Sequence, residues 1–145
     1  MSEDVHPARK AGLLSQKYVS EGNKEGWLSL FAEDAVVQDP VGVSPLDPVG
    51  KGQIGKAGIS AFWDNVISKG KVSFDYPRSY AAGDECAFIG TVYSKMGDNE
   101  FGSEGVFIYR VNEEGLLVSL RAFWEFKRPQ PGDDDVHPPV GRERP

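Results

Sequence analysis

Residues 28–42, LSLFAEDAVVQDPVG, contain an apolar strand that ends in a carboxylate. Val36 and Val37 are typical of a short buried strand, yet Asp39 follows almost at once and stands directly before Pro40. A carboxylate at the end of an apolar strand is costly to bury unless something satisfies or uses it. Asp39 is therefore either a turn residue that caps the local backbone before Pro40 or a functional group of a site.

Three stretches of the chain have the apolar periodicity of helices. The first begins at Pro7, and we expect Gly22 to end it because glycine favours the end of a helix. Asn23 is suited to cap a short second helix. The apolar positions are Ala8, Ala11, Leu14 and Tyr18 in the first helix, Trp27, Leu30 and Phe31 in the second, and Ile59, Phe62, Trp63, Val66 and Ile67 in the third.

After the third helix, the sequence changes to apolar and aromatic runs that are separated by turn residues. Because the turns are short, consecutive runs should pair as an antiparallel meander. Helices followed by a curved antiparallel sheet predict an α+β domain in which the helices cover one face of the sheet. The predicted strands are residues 35–39, 72–76, 86–93, 102–111 and 116–127.

The length of 145 residues predicts a single domain, which we place over residues 1–128. Residues 129–145 are rich in proline and aspartate and are expected to form a tail without a packed core. The formal charge of −6 argues against a nucleic-acid partner, which would need a basic face. No apolar run approaches the roughly 18 residues of a membrane span, and residues 1–20 lack the apolar core of a signal peptide. We therefore expect no membrane association and a cytoplasmic location.

The few cysteines and histidines narrow the possible chemistry. Cys86 is the only cysteine, so neither a disulfide framework nor a thiolate metal site can form, and its strand position favours a buried packing role. The only histidines are His6 and His137, both near the ends of the chain. We therefore expect no metal centre, no histidine-based triad and no cofactor. Acid–base chemistry would depend on carboxylates, tyrosines or lysines.

Residues 50–55, GKGQIG, match the glycine pattern of dinucleotide sites. That pattern functions only when a strand precedes it within a parallel βαβ unit, whereas a loop rich in proline and glycine over residues 40–55 surrounds it here. We interpret it as a loop that leads into the third helix, and not as a nucleotide site.

The chain is also rich in aromatic residues, most of which should form the core. A sheet that curls around three helices can leave a pocket between them, and Trp63 and Trp124 are candidates for its wall.

Five segments together resemble the delta-5-3-ketosteroid isomerase family of the NTF2-like or SnoaL-like superfamily. The resemblance covers roughly residues 8–127, and DPVG at residues 39–42 is its most specific part. It implies a cone in which a curved antiparallel sheet is wrapped by three helices around a deep apolar pocket, and a homodimer formed through the sheet. The segments are EGNKEGWLSLFAEDA, QDPVG, ISAFWDN, YRVNEEG and SLRAFWEF.

In this family, the aspartate of the DP pair is the general base. It removes a proton alpha to a ketone and returns it at the gamma carbon, so that the double bond becomes conjugated. Asp39 matches this residue. The resemblance therefore implies that Asp39 lies on the floor of the pocket, where desolvation raises its pKa.

The family's hydrogen-bond donors to the enolate are not matched. Its helix-1 tyrosine falls on Ser15, its penultimate-strand aspartic acid falls on Phe107, and a supporting tyrosine falls on Trp63. Tyr18 lies three residues beyond Ser15 and could place its hydroxyl in the pocket instead. We expect Asp39, with Tyr18 or Ser15, to form the polar site. The expected apolar walls are Trp63, Phe107, Leu120, Trp124 and Phe31.

Three functions fit these expectations. The first is isomerisation of a steroid or similar polycyclic ketone by Asp39. The second is binding of a small apolar ligand, a ketone or phenol, without catalysis, which the loss of a donor at Phe107 favours. The third is another reaction of SnoaL-like proteins that uses one carboxylate, such as cyclisation or hydration. The fold alone does not decide among them.

Overall fold

The computed structural model describes residues 5–125 and contains three helices and a six-stranded sheet, the α+β organisation that the sequence predicts. The predicted tail, residues 129–145, lies outside the described residues. The helices are α1 (Pro7–Glu21), α2 (Lys24–Leu28) and α3 (Gly55–Asn65). The strands are β1 (Phe31–Gln38), β2 (Gln53–Ile54), β3 (Lys71–Ala82), β4 (Glu85–Met96), β5 (Asn99–Val111) and β6 (Leu117–Phe123).

Both ends of α1 have clear local causes. The imidazole of His6 caps the first turn, because its Nδ1 accepts a hydrogen bond from the Ala8 N–H at 3.0 Å, while its Nε2 lies 2.8 Å from the carbonyl oxygen of Gly83. Gly22 ends the helix with a φ of 72°, a backbone conformation that favours glycine. Asn23 then caps α2 by accepting a hydrogen bond at 2.9 Å from the backbone N–H three residues later. The predicted ends at Gly22 and Asn23 are confirmed.

The strand order in the sheet is β2-β1-β6-β5-β4-β3. Strands β3 to β6 form the predicted antiparallel meander. Strand β1 instead pairs parallel to β6, with Gln38 opposite Arg121. The loop that was expected over residues 40–55 also contains β2, which pairs antiparallel with β1. No short turn joins β1 to β6, so local sequence does not fix their relative direction.

The sheet bends where glycines face each other on β4 and β5. Gly90 lies opposite Gly105, and a Cβ atom at either position would collide with a neighbouring backbone carbonyl, that of Asp75 or of Phe123. Strand β3 also shifts its register against β4 just after Asp75. Glycines and register shifts of this kind let strands approach closely and curve. The curved sheet has a concave face, on which α1 and α3 pack.

The core lies between the helices and the concave face of the sheet. Cys86 is completely buried there, as the sequence predicts. A polar side chain, Ser15, is also buried in this region, with 2% of its surface exposed. Over residues 5–125, no helix has the length and apolar character needed to cross a membrane. The largest fully buried side chains are Trp27, Phe31, Ile59, Leu117, Val37 and Cys86.

Candidate active site

The helices and the concave face of the sheet enclose a cavity of about 620 Å³. Its inner end is lined by buried side chains, among them Phe107 and Tyr109. The exposed side chains of Met96 and Phe101, on either side of the β4–β5 turn, line its mouth. A volume of this size lies within the range of about 300–1,000 Å³ for sites that hold small organic molecules.

Asp39 follows β1 directly, and its side chain lines the cavity. The parallel pairing of β1 with β6 brings Asp39 beside the end of β6, where Trp124 follows. The indole N–H of Trp124 donates a hydrogen bond to Oδ1 of Asp39, with 2.6 Å between the two atoms. Among the described residues, no backbone N–H donates to this carboxylate, so the side chain does not act as the cap of a local turn.

The surroundings of Asp39 favour a neutral carboxyl group. Asp39 as a whole is partly accessible to solvent, because the cavity opens beside it. Packed protein nevertheless surrounds its carboxylate and desolvates it. This burial raises the pKa of Asp39 above the usual 3.8, and the hydrogen bond from Trp124 offsets only part of the effect. No ion pair joins Asp39 to a lysine or arginine of the described chain. A carboxyl group with a raised pKa is a stronger base than an ordinary carboxylate, which suits it to accept and return a proton.

Two tyrosines, Tyr76 on β3 and Tyr109 on β5, line the cavity together with Asp39. Burial is the main cause that raises the pKa of both phenols, and the charge of Asp39 raises each pKa further. Hydrogen bonding from Gln16 and Ser15 acts in the opposite direction on Tyr109. Both phenols therefore stay protonated at neutral pH and can donate hydrogen bonds.

The structure brings five of the predicted site residues together. Asp39 and Ser15 supply polar groups, and three predicted wall residues also line the cavity. Phe107 stacks on the ring of Tyr76, with the ring centroids 4.8 Å apart and the planes at 20°. The three wall residues are Phe107, Leu120 and Trp124.

Three other predicted residues are not part of the cavity lining. Trp63 and Phe31 pack in the core against Trp27, with ring centroids at 5.3 and 4.9 Å from its ring. Tyr18 lies beneath the ammonium group of Lys17, which is 5.7 Å from the ring centroid. Trp27 itself lines the cavity, so it is the member of this aromatic cluster that a ligand would contact.

Residues 16–120 match the family described as the SnoaL-like domain. The chain belongs to this family. The steroid delta-isomerase of Nocardioides simplex is 29% identical to it over 120 residues, which are 83% of this chain and 87% of the relative. These matches place this SnoaL-like domain among relatives that include steroid isomerases.

Two solved structures of similar proteins support the same placement. The delta-5-3-ketosteroid isomerase from Mycobacterium sp. is 34% identical, with a TM-score of 0.80 over 83% of this chain and 95% of that one. The protein RV0760c of Mycobacterium tuberculosis, in complex with estradiol-17beta-hemisuccinate, is 36% identical, with a TM-score of 0.77 over 84% of this chain and 96% of that one. The predicted NTF2-like fold, a curved sheet with three helices around a pocket, is confirmed.

The glycine-rich loop of this SnoaL-like domain already has an internal anion for its amides. The Asp47 carboxylate accepts the N–H of Gly50 through Oδ1 at 3.0 Å and the N–H of Gly52 through Oδ2 at 2.7 Å. These two amides are therefore occupied and do not form a phosphate site. In the part of the chain that the structure describes, no group of histidine, cysteine or acidic side chains is placed to hold a metal ion.

Sequence motifs single out neither Tyr76 nor Tyr109, but one signal points to Tyr109. Side chains two residues apart on a strand lie on the same face of the sheet. Tyr109 follows Phe107 by two residues on β5, so a pocket position for Phe107 implies one for Tyr109. Tyr76 likewise follows Phe74 by two residues on β3. The register of β3 shifts after Asp75, however, so the sequence does not indicate which of its side chains face the cavity.

Proposed function

We propose that this SnoaL-like protein is a steroid delta-isomerase that moves a double bond of a 3-ketosteroid, or of a similar polycyclic ketone, into conjugation. The observation that supports the proposal most strongly is the Asp39 carboxyl group, which lines an apolar cavity, has a raised pKa and forms no ion pair with the described residues. The steroid isomerases among its relatives make a ketosteroid the first substrate to test.

The proposed reaction needs one group that takes up and returns a proton. The Asp39 carboxylate removes a proton from the carbon alpha to the ketone, and the electron pair of the broken C–H bond forms an enolate. The same carboxyl group then returns the proton to the gamma carbon. Because Trp124 donates to Oδ1, we assign the proton transfer to the other carboxylate oxygen, Oδ2.

The shape and polarity of the cavity fit a flat apolar substrate. Phe107 and Tyr76 present a stacked aromatic wall, and Leu120 and Trp124 contribute further apolar surface. Burial of apolar ligand surface stabilises binding by about 25 cal/mol for each Å². An apolar ring system with a single oxygen would place its ketone near the polar groups of Asp39, Ser15 and Tyr109.

The turnover of a delta-5-3-ketosteroid tests the proposal, because the conjugated product absorbs ultraviolet light that the substrate does not absorb. Asp39→Asn keeps the shape of the side chain but removes the proton acceptor, so turnover should fall by roughly 10²–10⁴-fold. Asp34→Asn, on the exposed face of the same strand, is the matched control and should leave turnover unchanged. Equal turnover in the wild-type and Asp39→Asn proteins would contradict the proposal.

Phe107 favours a second candidate function, the binding of a steroid-like ligand without turnover. Its ring occupies the inner end of the cavity and donates no hydrogen bond to an enolate. Wild-type protein that binds a 3-ketosteroid saturably, as judged by quenching of tryptophan fluorescence, but does not isomerise it would support this function instead.

A homodimer through the outer face of the sheet is a further part of the proposal. Phe107 and Tyr109 point inward, so their neighbours Val106 and Ile108 point outward, close to Phe123, whose side chain is 40% exposed. Ile108→Arg should convert the dimer into a monomer in light-scattering measurements. A monomeric wild-type protein would contradict the dimer.

A further inference from the structure

An enolate in this cavity requires a hydrogen-bond donor for its oxygen, because a bare oxyanion in apolar surroundings is costly. Phe107 cannot supply one, and Trp124 already donates to Asp39. The cavity lining contains other polar groups that could do so, and their positions along the strands separate them. The candidates with hydroxyl groups are Ser15, Tyr76, Tyr109, Ser94 and Ser103.

Distance from Asp39 excludes the two serines on β4 and β5. Asp39 continues β1 by one residue, and the pairing of β1, β6 and β5 places it in the row of Ala122 and Phe107. Ser103 lies four residues before Phe107, about 13 Å along the strand at 3.3 Å per residue. Ser94 pairs with a residue still nearer the mouth of the cavity. The donor therefore belongs to Ser15, Tyr76 or Tyr109.

Polar side chains of α1 act on the Tyr109 hydroxyl, whereas none of them acts on that of Tyr76. The ring of Tyr76 lies among Phe74, Phe88 and Phe107, with centroid distances of 5.5, 5.9 and 4.8 Å. No hydrogen bond of the Tyr76 hydroxyl occurs among the described residues. The nearby charge of Asp39 raises the pKa of Tyr76 further, which makes its O–H a weaker donor.

Helix α1 packs against Tyr109, because a Cβ atom added at Gly12 would lie 3.0 Å from its ring. Ser15 and Gln16 lie three and four residues after Gly12, on the same face of the helix, and each of them lowers the pKa of the phenol. Ser15 is the better defined of the two. Donors that point at a phenol oxygen make its own O–H a stronger donor.

Trp27 fixes the direction in which Ser15 donates. The indole N–H of Trp27 donates to Oγ of Ser15 at 2.9 Å, and Ser15 is 2% exposed. The Ser15 oxygen thus acts as an acceptor toward Trp27, and its own proton is available to Tyr109. A hydroxyl held in this way is part of a chain in which each group donates to the next.

We infer that Tyr109 is the electrophilic donor of this site and that Ser15, held by Trp27, is its positioning residue. The inference rests on the proposed isomerisation. While Asp39 removes the alpha proton, the C–H electron pair forms a new C=C bond and the π pair of the carbonyl moves to its oxygen. The Tyr109 O–H donates a hydrogen bond to that oxygen without transferring its proton. When Asp39 returns the proton to the gamma carbon, the ketone forms again and Tyr109 is unchanged.

The test compares Tyr109→Phe with Tyr76→Phe, since both remove one phenol oxygen from the same cavity. Loss of an enolate donor typically costs 10²–10³ in rate, so kcat should fall by about that factor in Tyr109→Phe. Tyr76→Phe should lower kcat by less than about tenfold, because it removes no donor to the reacting oxygen. Melting temperatures of both variants check that the fold is kept.

A second readout does not depend on turnover. It is the ratio of the affinities for a saturated 3-ketosteroid, which has no double bond to move, and for the same steroid without the 3-oxygen. Loss of a neutral hydrogen bond should lower this ratio by about 2- to 10-fold in Tyr109→Phe and leave it unchanged in Tyr76→Phe. If wild-type protein lacks turnover, the isomerase proposal fails, whereas this ratio still tests the donor. Equal ratios in the two variants would overturn the assignment of Tyr109.

The role of Ser15 is tested by a double-mutant cycle. Ser15→Ala should lower the affinity ratio for the ketone in the wild-type background and should have no further effect when Tyr109→Phe is already present. A further loss in the Tyr109→Phe background would mean that Ser15 contacts the ligand directly, which would overturn its positioning role. If Tyr109→Phe does not fold, an unchanged ratio in Ser15→Ala alone would overturn the inference.

Discussion

Trp124→Phe removes the hydrogen bond that holds Asp39 but keeps an aromatic ring in the cavity wall. The bond joins an N–H to a charged oxygen at 2.6 Å, and hydrogen bonds to charged groups contribute about 1.5–3 kcal/mol. One pKa unit corresponds to about 1.4 kcal/mol. Because this bond favours the ionised carboxylate, its loss should raise the pKa of Asp39 further.

The pH dependence of turnover measures this change. A general base must be deprotonated, so the acidic limb of the kcat/KM profile should move to higher pH, and kcat/KM measured on that limb should fall by about tenfold or more. Trp63→Phe is the matched control, because Trp63 lies in the core outside the cavity lining, and its limb should not move. An acidic limb that stays in place in Trp124→Phe, or that moves to lower pH, would refute the role of this hydrogen bond.

Substitutions at Asp39, His6 and Phe107 should change stability or turnover in different directions. Asp39→Asn should stabilise the protein at neutral pH. The carboxyl group of Asp39 binds its proton more tightly in the native than in the unfolded protein, so wild-type stability falls as the pH rises above about 3.8. Thermal melts should therefore show that the stability gained by Asp39→Asn disappears below that pH. His6→Ala should lower the free energy of unfolding, measured by urea titration, by about 1 kcal/mol, because it removes the cap of α1. His6→Asn should lose less stability, since asparagine also caps helices. Equal losses in the two variants would contradict the capping role of His6. Phe107→Asp should lower the melting temperature, because Phe107 is buried, but it should raise turnover. A buried carboxylic acid beside Asp39 stays protonated and can donate a hydrogen bond to the enolate. A folded variant that is no faster than the wild-type protein would contradict this.

Local signals in the sequence predicted most elements of this fold, but they missed β2 and placed Phe31, the first residue of β1, in the second helix. The glycine at position 22 and the asparagine at position 23 fix a helix end and a helix start through their own backbone and side-chain preferences. Short turns join β3 to β4, β4 to β5 and β5 to β6, and strands joined by such short turns can pair only in the antiparallel direction. The parallel pair of β1 and β6 depends on contacts between distant parts of the chain, and no local pattern encodes it.

The site was predictable where a motif marks it and not where packing decides. The DP pair identifies Asp39, and the cavity contains it as expected. Trp63 and Phe31 have the aromatic character of pocket walls, but rotation of their elements turns them toward Trp27 and the core. Tyr109 looks like an ordinary strand residue until the positions of α1 and β5 bring Ser15 close to it.

The proposed role of Asp39 is to carry one proton from the alpha to the gamma carbon. An isotope label on that proton shows whether this transfer occurs. A delta-5-3-ketosteroid with deuterium at the alpha carbon is converted in ordinary water, and mass spectrometry measures the deuterium at the gamma carbon of the product. If Asp39 carries the proton, the product made by wild-type protein should contain deuterium at that carbon above the solvent level, and Asp39→Asn should show no such transfer. Product that carries only solvent hydrogen, or deuterium transfer that persists in Asp39→Asn, would contradict that role.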